Sequence, residues 1–235
     1  MENKSKHKHI MNFNPDVMLL EQAYQDYLYE IQKFNAGKGY ENFNDFVVDE
    51  ANDYKNIGDG VTYTVWNVFL DDLGKEEKRE LVAYYTLAAT SIPYEDRIRL
   101  DEEEAAEEGK EFDIQIYGIS AIEIKMFAVD EKYQNIFFEY EGQDLPISAW
   151  IMRNIISYLE NLSNTVVGFK AIFLHSVPQA ESFYEMNGFN KVKINMKPLQ
   201  CIDSEFTSMY LALKEIKMNY CLLYTSDAAD DSLRV

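Results

Sequence analysis

The chain has 235 residues, a net charge of -19, and 47% hydrophobic and 14% aromatic residues. This content excludes a disordered chain, and the length allows one domain with a sizeable core, with or without an extension. The acidic balance excludes non-specific attraction to nucleic acid or an anionic membrane, so neither is expected as a partner, although a local basic pocket is compatible with it.

Residues 1–12 are polar, and MENKSKHKHI lacks the apolar run of a signal peptide. From Pro15 to Phe34, the residues Met18, Leu19, Tyr27, Leu28, Ile31 and Phe34 recur at helical spacing. Asn14 before Pro15 suits a helix start, and NAGKG at 35–39 ends the segment. A second helix is predicted through Phe43, Phe46, Val47, Ala51 and Tyr54, stopping at NIGDG, residues 56–60. VTYTVWNVFL (61–70) and LVAYYTLAATSI (81–92) are rich in β-branched and aromatic residues and form a predicted hairpin around the turn DDLGKEEKRE. Residues 93–113 carry the run DEEEAAEEGKE, read as a solvated loop or helix face. It lacks the Asp/Asn and Gly pattern of a calcium loop.

Ile119–Val129 is the predicted central strand, and Tyr133–Gln143 a loop. Ile147–Leu162 reads as a helix with Ile151, Ile155, Leu159 and Leu162 on one face. VVGFKAIFLHSV (166–177) is a near-continuous apolar strand, suited to a sheet covered on both faces. Pro178–Asn187 is a short helix ended by Gly188, a usual left-handed cap residue. Phe189–Ile194 and Ser208–Leu213 read as final strands. The pattern is α+β, with a central mixed, mostly antiparallel sheet flanked by helices.

The tail Cys221–Val235, CLLYTSDAADDSLRV, resembles a translated sequencing adapter and is set aside from fold reasoning. Removing its three Asp and one Arg leaves a charge of -17. It also leaves Cys201 alone, which fits a reducing, cytoplasmic location. No stretch reaches the roughly 18 uninterrupted apolar residues of a membrane span.

His175 precedes Ser176, but no G-x-S-x-G turn exists for a Ser-His hydrolase. The two other His residues lie in KHKH, so no metal site is expected.

Two stretches carry a likeness to a known family. HSVPQAESFYEMNGF holds A-x-x-x-Y-x-x-x-G-F through Ala180, Tyr184, Gly188 and Phe189, and IEIKMFAV holds E-I-x-x-x-A-V from Glu123 to Val129. Upstream, GYENFNDFVVDEANDY, VTYTV and ELVAYYTLAATSI extend the match to about residues 39–214. The chain resembles the GNAT N-acetyltransferases, and within them the bacterial-like, toxin-like subgroup.

That resemblance implies a GNAT (acyl-CoA N-acyltransferase) fold over 39–220; outside it, 1–38 reads as a helical extension and the adapter-like 221–235 as an artefactual, disordered tail. It implies transfer of an acetyl group from acetyl-CoA, as co-substrate, to a primary amine of a small molecule or protein. Tyr184 would protonate the leaving thiolate, and Ala180, one turn earlier, would leave room for the thioester. Glu123 would take the amine proton; the competing reading is an ion pair with Lys125. Strand alternation puts Glu123, Lys125, Phe127 and Val129 on one face. The backbone of Met126, Phe127, Ala128 and Val129 would pair with the pantetheine arm.

Tyr133-Gln134 begins the family's Gln/Arg-x-x-Gly-x-Gly/Ala phosphate motif, but NIFFEYEGQDL interrupts it. Pro146-Ile147-Ser148 stands where Gly-x-Gly would open the helix, leaving Ile147, Ser148 and Ala149 to offer N–H groups to a pyrophosphate. Two alternatives stay open. Some relatives in the subgroup acetylate aminoacyl-tRNA beside an antitoxin, and a degenerate GNAT fold could serve as an acyl-CoA sensor or partner-binding module. Residues 1–38 could pack across the acceptor groove or mediate a homodimer.

Overall fold

The computed structural model describes residues 9–193, 196 and 206–214. Cys201, Ile194 and the tail therefore lie outside the described residues. In chain order the elements are β1 (His9–Ile10), β2 (Pro15–Leu19), α1 (Leu20–Ile31), α2 (Glu41–Asp45), a π-helical turn (Phe46–Glu50), α3 (Ala51–Ile57), β3 (Val61–Leu70), β4 (Glu76–Arg99), α4 (Glu102–Glu108) and β5 (Phe112–Val129). There follow a 3-10 turn (Glu131–Tyr133), β6 (Ile136–Tyr140), β7 (Gln143–Pro146), α5 (Ile147–Thr165), β8 (Ala171–Ser176), a 3-10 turn (Pro178–Ala180), α6 (Glu181–Met186), β9 (Asn190–Lys191) and β10 (Thr207–Ala212).

Seven strands form one sheet in the order β2-β3-β4-β5-β8-β10-β9, antiparallel except between β5 and β8. The α+β class and the mixed, mostly antiparallel sheet are thus as the sequence suggests. One face carries α5 and α6. Ile147, Ile151, Met152, Ile155 and Leu159 of α5 pack there with Val82, Tyr85, Ile124, Ile172, Leu174, Tyr184 and Phe189. Burying such side chains contributes roughly 1.5–3 kcal/mol each. The other face carries two clusters. Leu20, Ala23, Ile31, Phe46, Val47 and Ala51 cover Trp66, Leu81, Tyr84 and Ala128; further along, Met196 joins Ile92, Tyr94, Ile119, Ala121, Phe173 and Tyr210. No helix among the described residues is long and apolar enough to cross a membrane.

Three segments depart from expectation. Pro15–Leu19 is a strand, and the helix begins only at Leu20. Asn14 is drawn into β-pairing instead of capping: its N–H donates to Asn67 Oδ1 (2.9 Å) and its carbonyl accepts from Val68 N–H (2.9 Å). Pro15 is tolerated because it opens an edge strand. Secondly, Tyr133–Gln143 is no loop. IFFEY and QDLP pair as a β6–β7 hairpin, and β1 adds in parallel to β6. Its turn places Glu141 (φ 52) and Gly142 (φ 78) in the left-handed region, the backbone of a tight two-residue hairpin turn. Phe138 is buried, edge-on to Phe13 (5.1 Å) and Trp150 (6.2 Å), which anchors the hairpin over α5.

Thirdly, β4 and β5 run on past the pairing with β8 as a paired arm, from Ser91–Ser120 out to Arg99–Phe112, tipped by α4. The acidic run sits there, mostly exposed. The apolar run at 166–177 is also shorter as a strand: Val166 and Val167 are exposed in the connection before β8.

Candidate active site

β5 and β8 are paired in parallel over only four residues, from Ala121–Ala171 to Ile124–Leu174. Both strands then continue, but apart. β5 stays bonded to β4 through Met126–Thr86, Phe127–Tyr85, Ala128–Tyr84 and Val129–Ala83, while β8 stays bonded to β10 through His175–Ser208 and Ser176–Thr207. A wedge therefore opens in the sheet, and the edge of Met126, Phe127, Ala128 and Val129 that faces β8 has no strand partner among the described residues. Such an edge is ready to pair with an extended ligand.

A β-bulge sits at the mouth of the wedge. Ile124 pairs with Leu87 and Met126 with Thr86, so Lys125 is the extra residue. The bulge reverses side-chain alternation, and this corrects the sequence expectation. Phe127 and Val129 pack on the α5–α6 face with Ile122 and Ile124, whereas Met126 and Ala128 pack under α1–α3. Glu123, between Ile122 and Ile124, points to the face opposite Phe127. Lys125 is on that opposite side too, with its Nζ 5.5 Å from the centre of the Tyr54 ring, and no ion pair with Glu123 is seen among the described residues.

Tyr184 belongs to the cluster that covers the α5–α6 face of the sheet. It is buried among Phe183 (5.3 Å) and Phe189 (5.7 Å), both edge-on. Its helix ends at Gly188, whose φ of 91° requires the absent Cβ, and Phe189 N–H bonds back to Tyr184 O (3.1 Å). Burial pushes the Tyr184 hydroxyl well above the ordinary phenol value, so it stays protonated at neutral pH. The Tyr184 hydroxyl makes no hydrogen bond among the described residues. Phe183, next to it, turns the other way and stacks on Phe127 across the wedge (5.9 Å, 12° between planes). Ala180 packs against the same cluster as Tyr184.

The residues expected to hold a pyrophosphate do not act alike. Gln134 is occupied internally: its Nε2 donates to Val129 O (2.9 Å) and Ala36 O (3.0 Å), tying the end of β5 to the loop after α1. Ile147 is buried, while Ser148 and Ala149 are half-buried in the first turn of α5. No side chain caps that helix, whose N-cap is Pro146. Its first N–H groups therefore lack the usual capping acceptor, and the helix dipole adds partial positive charge. The β6–β7 hairpin runs straight into this turn in place of a glycine loop.

Sequence reasoning missed two features. One is a cavity of about 800 Å³, lined by Lys38, Gly39 and Tyr40 from the loop after α1, Val177, Pro178 and Gln179 beyond β8, and Phe206 and Thr207 at the start of β10. It lies at the end of the β8–β10 pair. The other is the tyrosine row beside the wedge: Tyr63 stacks on Tyr85 (5.2 Å), and its hydroxyl lies 3.3 Å from that of Tyr158. Burial first, then the Tyr158 bond, pushes Tyr63 up to about 12. The clustering of Tyr in VTYTV and AYYTL was the available signal.

No family model and no curated protein matches this chain. Solved structures do. The AtaT mutant toxin is similar with a TM-score of 0.54 at 15% identity, over 90% of this chain and 96% of that one. AtaTR bound with AcCoA gives 0.54 at 17% identity, over 85% and 94%. AtaT complexed with acetyl-methionyl-tRNAfMet gives 0.52 at 16%, over 85% and 95%. These likenesses show the fold, the GNAT arrangement the sequence implied. The expectation that nucleic acid is no partner finds no support in them.

Proposed function

We propose that this protein is an acetyl-CoA-dependent N-acetyltransferase that acts on a primary amine. The observation that carries this reading is the wedge between β5 and β8, where an unpaired strand edge, a free Tyr184 hydroxyl and an uncapped helix start converge on one fold. The edge of Met126, Phe127, Ala128 and Val129 binds the pantetheine amides as an added strand. Ile147, Ser148 and Ala149 offer N–H groups to the pyrophosphate. Tyr184, protonated at neutral pH, donates its proton to the thiolate as the C–S bond breaks. Gln134 holds the strand end rather than the cofactor.

A second reading concerns the acceptor. A neighbour of the same fold is described with acetyl-methionyl-tRNA, so an aminoacyl-tRNA is the macromolecular amine to test first. The net charge of -19 disfavours it unless contacts are confined to the acceptor end.

The test uses the full chain with acetyl-CoA and a panel of methionyl-tRNA, a lysine peptide and spermidine, following thiol release and measuring acetyl-CoA binding by calorimetry. Binding with turnover of any acceptor supports the reading; binding without turnover favours a sensor. Absence of acetyl-CoA binding sinks it.

A further inference from the structure

We infer that His175 is the general base that deprotonates the acceptor amine, with Ser208 as its positioning residue; this deepens the acetyltransferase reading and rests on it. Along β8, Ile172 and Leu174 face α5 while Ala171 and Phe173 join the opposite cluster. His175 continues the second set, edge-on to Phe173 at 4.9 Å. It lies one residue past Leu174, the last β8 residue paired with β5, and so at the opening of the wedge. Its Nδ1 lies 3.0 Å from Ser208 Oγ on its direct register partner in β10. In the tautomer the base role requires, Nδ1–H donates to the Ser208 hydroxyl; with Phe173 against the ring, the imidazole is oriented and the Nε2 lone pair is left for the amine.

The position matches what an amine needs. Val177, two residues on along the same strand direction, and Thr207, beside Ser208, line the 800 Å³ cavity. Tyr184 belongs to the α5–α6 cluster, and His175, against Phe173, to the opposite face of the sheet. A thioester carbonyl held in the wedge would thus meet its proton donor on one side and its proton acceptor on the other. Glu123 shares the His175 face, but its backbone is locked between Ala88 and Phe173, inside the paired region. Among the described residues, the other charged and titratable groups around this floor include Tyr94 on β4, Tyr117 and Lys125 on β5, Tyr210 on β10, and Lys38 and Tyr40 on the cavity loop.

The step balances as follows. The amine nitrogen forms a bond to the acetyl carbonyl carbon and its proton passes to His175 Nε2. The C–S bond breaks, and the thiolate takes the proton of Tyr184. The His175 proton returns to the Tyr184 phenolate through solvent, leaving amide and free thiol.

The experiment compares the full chain with His175→Gln and Ser208→Ala, using acetyl-CoA and whichever of methionyl-tRNA, lysine peptide or spermidine turns over fastest. It reads kcat from pH 5 to 9, alongside acetyl-CoA affinity. His175→Gln is expected to lose about 10²–10⁴-fold in kcat and to lose the acid limb of the pH profile. Acetyl-CoA affinity stays within about threefold, as expected when no pantetheine contact is touched. Ser208→Ala displaces the acid limb and is partly rescued by Ser208→Thr. An unchanged profile with kcat within about threefold of the parent overturns the inference while leaving the acetyltransferase reading intact. A parent chain that binds no acetyl-CoA overturns both. If His175→Gln fails to fold, the Ser208→Ala profile decides: displaced supports, unchanged overturns.

Discussion

The two sides of the wedge are built by different rules. On the β8–α6 side, the proposed chemistry would rest on side chains and one left-handed residue: Tyr184 for its hydroxyl, Phe189 for packing, Gly188 for φ 91°. These demands admit few residue types, so a short motif reports them. On the β5–α5 side, the proposed binding would rest on backbone groups, the N–H donors of a helix start and a strand edge unpaired among the described residues. Many sequences can provide those. A hairpin replaces the expected glycine loop and still delivers a helix N-terminus. Motif strength therefore measures how far a function depends on side chains, and says less about whether the function is present.

Four substitutions probe that contrast. Tyr184→Phe keeps the ring and removes only the donor; thiol release is expected to fall by about 10²–10⁴-fold with acetyl-CoA affinity and thermal stability unchanged. Because burial raises this phenol, parent turnover should show no loss from its ionisation below about pH 10. Phe138→Ala strikes the hairpin. Loss of a buried ring with two aromatic neighbours should cost about 3–5 kcal/mol in urea unfolding, and should weaken acetyl-CoA more than it slows the chemical step.

Glu80 is the next test, because it joins β4 to the turn that follows β5. Burial pushes its carboxyl up, but bonds from Lys132, Tyr133 (2.5 Å) and Lys78 (3.0 Å) outweigh it and hold the group down to about 2. A carboxyl lowered on folding stabilises fully above its unfolded value, roughly pH 4.3, and that stabilisation disappears as pH falls towards 2. Glu80→Gln should cost about 1–3 kcal/mol at pH 7 in denaturant titrations, and the difference from the parent should vanish near pH 2. Finally, Ser148→Asp places a carboxylate in the first turn of α5. The helix tolerates or gains from it, yet acetyl-CoA affinity should drop about tenfold by charge repulsion. Acetyl-pantetheine, which has no pyrophosphate, should bind as before. If both ligands weaken equally, the two-rule contrast fails.

Much of the fold was legible. Ile151, Ile155 and Leu159 mark α5 by period, and VTYTVWNVFL and LVAYYTLAATSI mark β3 and β4 by composition. Tyr184 was legible from its spacing to Gly188. The strand at Pro15–Leu19 was not, because its pattern of Met18 and Leu19 suits either period, and the open edge of β3 decided between them. The β6–β7 hairpin was hidden because the Glu141-Gly142 turn is a weak signal that gains force only when Phe138 has Phe13 and Trp150 to bury against.

By itself, the sequence determined the β3–β4 pair, the central strand β5 and helix α5, an acidic surface over an aromatic core, and the residues of α6. Those features are local: they follow from periodicity, charge and one glycine. Only the tertiary structure decided that Lys125 bulges, that β5 and β8 part after Ile124 and Leu174, and that Glu123 and Phe127 therefore face opposite sides. A bulge is a mismatch in length between two paired strands. No single strand contains that information, so it exists only once the partners have met.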